Sequence, residues 1–201
     1  MYRILERYQN EIVINKSKFI SVMIPISFDI EVKEILKELN KEFPKATHYC
    51  YAYRVNGKEK SSDDGEPAGT AGRPMLEFLI NNELENILVV VIRYFGGIKL
   101  GAGGLLRAYV DGCRSVYSVS KIYKVERHHV YQIIVDYKYY DAIRNYLVHE
   151  EGTIQETEYL EDIKINYLAP SINKDDLLEI TNGNVKLIDF GEKEVFIERK
   201  K

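Results

Sequence analysis

Arg93, Lys99 and Arg107 lie within one glycine-rich stretch, IRYFGGIKLGAGGLLRAYVDG, running from Ile92 to Gly112. Its glycines Gly96, Gly97, Gly101, Gly103 and Gly104 follow an apolar run that reads as a strand ending near Phe95. They precede a helical pattern that begins around Gly101 to Gly104. A strand, a glycine turn and a helix start make an anion cradle. Bare backbone N–H groups approach closely, and the positive end of the helix dipole points at the charge. With three cations beside it, the stretch suits a phosphate, either of a nucleic-acid backbone or of a small ligand. The glycines also have a purely architectural reading. Gly96 and Gly97 would form a tight turn with positive φ, and Gly103 and Gly104 would let the helix pack closely on a sheet. The standard nucleotide patterns are not met. Gly101 is followed by Ala102 where a Walker loop needs Lys, and Leu106 takes the third glycine position of the dinucleotide fingerprint.

A second polar stretch, SSDDGEPAGTAG, clusters Asp63, Asp64, Gly65 and Glu66 and leads to Thr70 and Gly72 beside Arg73 at another helix start. Paired carboxylates can hold Mg2+ or share acid–base work. The spacing matches no calcium loop, and no His or Cys lies nearby to complete a site. The default is therefore a solvated loop; no metal, cofactor or catalytic residue is assigned, and a non-enzymatic role is favoured over an enzyme. Thr70, Gly72 and Arg73 make a second candidate anion site. The expectation is that the two motifs, each at a helix start and each with an arginine, meet across one face.

Other chemistry-bearing residues read as structural. Cys50 and Cys113 stand far apart among apolar neighbours and are expected to be buried thiols. His48 shares a strand face with Cys50, but no third group is evident to orient a Cys/His pair. His128 and His129 are adjacent in strand-like sequence and point to opposite faces, so they do not converge on a metal. Tyr49, Tyr51 and Tyr53 line one strand face. Such a stripe packs under a helix or, alternatively, stacks bases. Arg107, Asp111 and Arg114 share one helix face, where Asp111 can pair with either arginine.

These residues are carried by a regular succession of elements. EIVINK and KFISVMIPIS read as two strands with a polar turn. Asp29 is the expected N-cap of a helix ended by Pro44. THYCYAYRV is a strand, NGKEKSSDDGEPAGTAG a long polar loop, and RPMLEFLINN a helix with Pro at its start. NILVVVIRYF is so continuously apolar that it must be a central strand covered on both faces. After Arg127 to His129 the pattern becomes strand, helix, hairpin, helix with a Ser cap, and strand. That is the split βαββαβ order of ferredoxin-like domains. The reading is an α+β protein of two domains, 1–127 and 128–201.

The 201 residues carry a formal net charge of -3, unevenly spread. Residues 1–127 hold 19 Lys/Arg against 16 Asp/Glu, and residues 128–201 hold 9 against 15. The first half suits phosphate better than the second, whose acidity suits a protein partner. The excess is too small to indicate DNA binding from charge alone. The longest apolar run, ILVVVI, is far too short to span a bilayer, and the first residues carry no secretory pattern. The expected location is cytoplasmic, with no membrane association.

The wording of both motifs, VVVIRYFGGIKLGAGGLLRAY and DDGEPAGTAGRPML, resembles the signatures of the YigZ/IMPACT family, and the resemblance extends over the whole chain. It implies a first domain with the fold of the second domain of ribosomal protein S-five, shared with domain four of elongation factor G. It implies a second, ferredoxin-like domain similar to domain five of that factor. Eukaryotic relatives regulate translation by binding the activating scaffold of the amino-acid-starvation kinase, using an additional N-terminal domain absent from this sequence. That function is therefore not expected to transfer whole. Three readings stay open at this point. The chain is an RNA- or ribosome-associated binding protein, a small-molecule phosphate- or nucleotide-binding protein or enzyme that uses the glycine-rich strand, turn and helix, or a protein-interaction module in which the glycines serve only the fold.

Overall fold

The computed structural model describes residues 1–200. The chain divides into two compact units. One is Met1–Lys124, joined by the residues from Ile197 on, and the other is Val125–Phe196.

In the first unit the elements run β1 (Tyr2–Arg3), β2 (Tyr8–Ile14), β3 (Ser17–Pro25), α1 (Glu31–Glu42), β4 (His48–Val55), β5 (Lys58–Ser62), α2 (Gly72–Asn81), β6 (Ile87–Tyr94) and α3 (Gly101–Val119). Five strands form an antiparallel sheet in the order β2-β3-β6-β4-β5. β6 sits at its centre, and its side chains sort by parity. Leu88, Val90 and Ile92 pack with Val32 and Leu39 of α1. Ile87, Val89 and Val91 pack with Met75 and Leu79 of α2 and with Tyr109, Cys113 and Val116 of α3. The sheet is thus covered on both faces, which is why β6 shows no apolar/polar alternation.

Two turns with positive φ at both central residues close the hairpins: Asn15-Lys16 between β2 and β3, and Asn56-Gly57 between β4 and β5. This is the primed turn geometry whose twist matches paired strands. It corrects one expectation. Lys58–Ser62 is not loop but an edge strand, registered from Val55↔Lys58 to Tyr51↔Ser62. A second correction concerns α1. Asp29 does not cap it; its carboxylate pairs with Lys58 Nζ at 3.0 Å, and Glu31 Oε1 turns back to accept from the N–H groups of Ser27 and Phe28.

The second unit carries the continuation of β7 (Tyr123–Val135), then a short 3-10 turn, α4 (Tyr140–His149), β8 (Thr153–Tyr159), β9 (Ile163–Ala169), α5 (Lys174–Ile180) and β10 (Val185–Glu198). β9 lies between β7 and β8, and β10 pairs the other edge of β7. That order is the ferredoxin-like arrangement of a βαββαβ chain. Ile143, Leu147 and Leu177 of the helices close over Ile133, Ile165 and Tyr167 of the sheet. Asn173, not Ser171, caps α5 by accepting from Asp175 N–H. No described helix is long and apolar enough to cross a membrane.

Candidate functional site

The two motifs meet through a buried ion pair. Arg93 leaves β6 on the face shared with Val89 and Val91, and Glu66 comes from the loop before α2. Arg93 Nη1 lies 2.5 Å from Glu66 Oε1, with the two side chains 6% and 3% exposed. Tyr109 of α3 donates its phenol to the same oxygen at 2.8 Å. His48 Nε2 stands 3.8 Å from it, while His48 Nδ1 meets Asp64 O at 2.7 Å. The Arg93 guanidinium lies 5.5 Å from the Phe19 ring centroid and 5.4 Å from that of Phe95. Its Nε is buried with no hydrogen-bond partner among the described residues. The burial corrects the reading of Arg93 as a cation free to meet a nucleic-acid backbone.

The remaining acids of the loop have separate tasks, so no carboxylate pair forms. Asp64 Oδ2 accepts from Tyr49 N–H at 2.6 Å. Asp63 accepts from Gly69, Ala71 and Gly72 N–H at 2.8–2.9 Å. The start of α2 is therefore already occupied by an anion of the chain itself. Nor is Arg73 free, because it pairs with Glu77 one turn on. Thr70 donates to Pro67 O, and Gly72 sits where a Cβ would lie 2.7 Å from the Ser62 backbone. Gly65 takes the left-handed φ of +85° that the loop needs there. The second motif thus builds a loop and supplies Glu66, and it does not present an open anion site.

Burial alone would raise the Asp63 carboxyl, but its three backbone donors outweigh that and hold it below the usual carboxylate value. The folded-state pKa lies below the unfolded one. The resulting stability is complete above the unfolded value of about 3.9 and is lost as pH falls through the depressed folded value. Asp63→Ala should cost about 0.5–2 kcal/mol at neutral pH, as lost helix caps do, and the penalty should shrink on acidification. Urea midpoints of the two proteins at pH 7 and near pH 3 check this. A pH-independent difference would show that the carboxylate is not the stabilising group.

The start of α3 is different. Leu100 is the N-cap and supplies no side-chain bond. Gly97 and Gly101 have φ of +85° and +69°, which fixes the turn on glycine. Gly96 is needed for another reason: a Cβ there would stand 2.0 Å from the Lys16 backbone. Gly103 and Gly104 are not the close contacts to the sheet. A Cβ on Gly103 meets only Arg107 Nη1, at 3.8 Å, and one on Gly104 meets Leu100; the helix-to-sheet approach is at Gly112, against Ser21 and Val91.

Lys99 and Arg107 are exposed beside this helix start and have no carboxylate partner among the described residues. Arg114, not Arg107, takes Asp111. Lys16 and Lys45 are likewise exposed and without a carboxylate partner among the described residues. Lys16 lies in the turn against Gly96, and Lys45 sits between Pro44 and Thr47, which bond to Tyr94 and Phe95. Sequence reading missed both lysines, as well as Tyr109, because each stands alone in a turn or helix and only the sheet order brings them to the exit of β6. A cavity of about 480 Å3 opens here, lined among others by His48, Glu66, Arg93, Phe95, Lys99 and Gly101.

The other candidates resolve as structure. Cys50 and Cys113 are buried. Desolvation pushes the Cys50 thiol up to about 12, and Cys50 donates to Asp63 O, so it is no nucleophile for His48. Tyr49, Tyr51 and Tyr53 pack toward α1, with Tyr51 and Tyr53 stacked, and are not a free platform for bases. His128 and His129 have separate partners, Glu126 and Asp189.

Comparison with known proteins places this architecture. Residues 15–117 match the Impact N-terminal domain. The chain is 37% identical over 191 residues to the IMPACT family member YvyE of Bacillus subtilis (strain 168), covering 90% of this chain and 87% of that protein. It is 31% identical over 182 residues to YigZ of Escherichia coli (strain K12), covering 88% and 86%. A crystal structure of a hypothetical protein, 27% identical, superposes with a TM-score of 0.60 over 96% of this chain and 98% of that one. The matched domain spans both motifs, the Glu66–Arg93 pair and the exposed cations, and the chain belongs to the IMPACT family.

Proposed function

We propose that this chain is a non-enzymatic, RNA-binding protein that acts at the ribosome in the regulation of translation. One observation carries the reading. Lys99 directly precedes the uncapped start of α3, and Arg107 reaches back beside Gly103; both are exposed and without carboxylate partners among the described residues, as are Lys16, whose backbone abuts Gly96, and Lys45. Glu66, which lines the cavity at this helix start, is neutralised by Arg93. Unpaired cations beside a helix N-terminus suit a phosphate backbone and bind it without reading sequence. Membership of the IMPACT family, whose resemblance implies a link to translation, supports the ribosomal part of the reading. The acidic second unit repels that backbone and suits a protein partner.

Titrating the full chain with labelled ribosomal RNA fragments at several salt concentrations should show affinity falling steeply with salt. A Lys16→Ala/Lys99→Ala/Arg107→Ala variant should bind more weakly, with a log–log salt slope flatter by about 0.7 for each phosphate no longer neutralised. All three side chains are exposed, so this variant should fold. Unchanged affinity in the folded variant removes the assignment.

A further inference from the structure

We propose that the cavity at the start of α3 takes one unstacked nucleotide, its phosphate on the helix end and its base against Phe95. The proposal rests on the phosphate reading of this end of the first unit and names what enters it. The cavity, about 480 Å3, falls within the size of small-ligand sites. Its lining is mixed in chemistry. One part of the lining is Lys99 with Gly101 and Ala102 at the start of α3, which no side chain caps. These favour a compact anion.

Other parts of the wall are apolar, with Leu100, Leu105 and Phe95, a residue 47% exposed. An apolar wall with an accessible aromatic face suits a planar ring. Two polar groups stand beside it. Glu66 accepts from Arg93 and Tyr109 on Oε1, and Oε2 accepts from neither. Arg93 lines the same cavity, and its buried Nε has no partner among the described residues; a buried donor of this kind calls for one. A carboxylate only accepts. It therefore selects a base that offers an amino group, namely adenine, cytosine or guanine. The pairing edge of uracil carries one N–H between two carbonyls, which repel a carboxylate.

Calorimetric titration of the full chain with AMP, GMP, UMP and inorganic phosphate tests this, beside the RNA titration. AMP and GMP should bind more tightly than UMP and far more tightly than phosphate. Phe95→Ala should weaken AMP about ten-fold or more, the scale of a lost base–aromatic stack. Ala102→Asp is the decisive variant. An acid in the first turn supports the helix but repels a bound phosphate, so the melting temperature should hold or rise while nucleotide binding is lost. If nucleotides bind and RNA does not, this inference stands and the RNA reading falls. If RNA binds and no nucleotide does, or if Phe95→Ala changes nothing and phosphate binds as well as AMP, the nucleotide site is overturned and the RNA reading is judged on its own titration.

Discussion

Replacing Arg93 with methionine should destabilise the first unit by about 3–5 kcal/mol, because it strands a buried carboxylate. Glu66 is 3% exposed on its side chain and has Arg93 as its close cation. Once that partner is gone, Glu66 must either stay charged in an apolar surround or take up a proton. The reciprocal change, Glu66→Gln, strands Arg93 in the same way. The double variant Arg93→Met/Glu66→Gln should recover most of the loss. No charge is left unpaired, the Gln oxygen can still accept from Tyr109, and Met refills the space between Phe19 and Phe95. Urea unfolding of the single and double variants measures this. A single-variant loss below about 1 kcal/mol, or a double as damaging as the two singles added, would mean that the pair is solvated and not sealed.

That pair was half legible in the sequence. A strand as continuously apolar as ILVVVI is covered on both faces, so a residue two places beyond Val91 on the same strand face is covered too. Parity alone puts Arg93 inside, and a buried arginine demands a carboxylate. Its identity was out of reach, because Glu66 lies 27 residues away in a loop that tertiary packing brings in. The βαββαβ order of the second unit could be read because its helices and strands differ plainly in period. The edge strand Lys58–Ser62 was hidden for the opposite reason. KEKSS has no apolar face, being an edge strand with exposed and half-buried positions. The signal that could have found it is local, the Asn56-Gly57 dipeptide of a two-residue hairpin. Lys16 and Lys45 carry no such signal, since a cation in a turn looks the same whether or not other cations fold up beside it.

The glycines of the first motif separate by what their backbones touch, and a matched pair of substitutions should show it. Gly96→Ala should cost about 3 kcal/mol, the upper part of the usual range for overpacking. The new methyl would stand 2.0 Å from the carbonyl carbon and oxygen of Lys16, and these are backbone atoms with no rotamer to turn away. The β2–β3 turn would have to move, and with it Ser17, whose hydroxyl accepts from Gly96 N–H and lies 3.4 Å from Arg93 Nη2. The same change at Gly103 meets only the end of the Arg107 side chain, at 3.8 Å. Inside a helix that substitution removes glycine's backbone-entropy penalty, so Gly103→Ala should stabilise by up to about 1 kcal/mol. Thermal or urea unfolding of both variants decides the matter. A Gly96→Ala protein as stable as the parent would mean that the turn and the strand exit do not touch. A Gly103→Ala protein that is strongly destabilised would mean that α3 meets the sheet at its first turn instead of at Gly112.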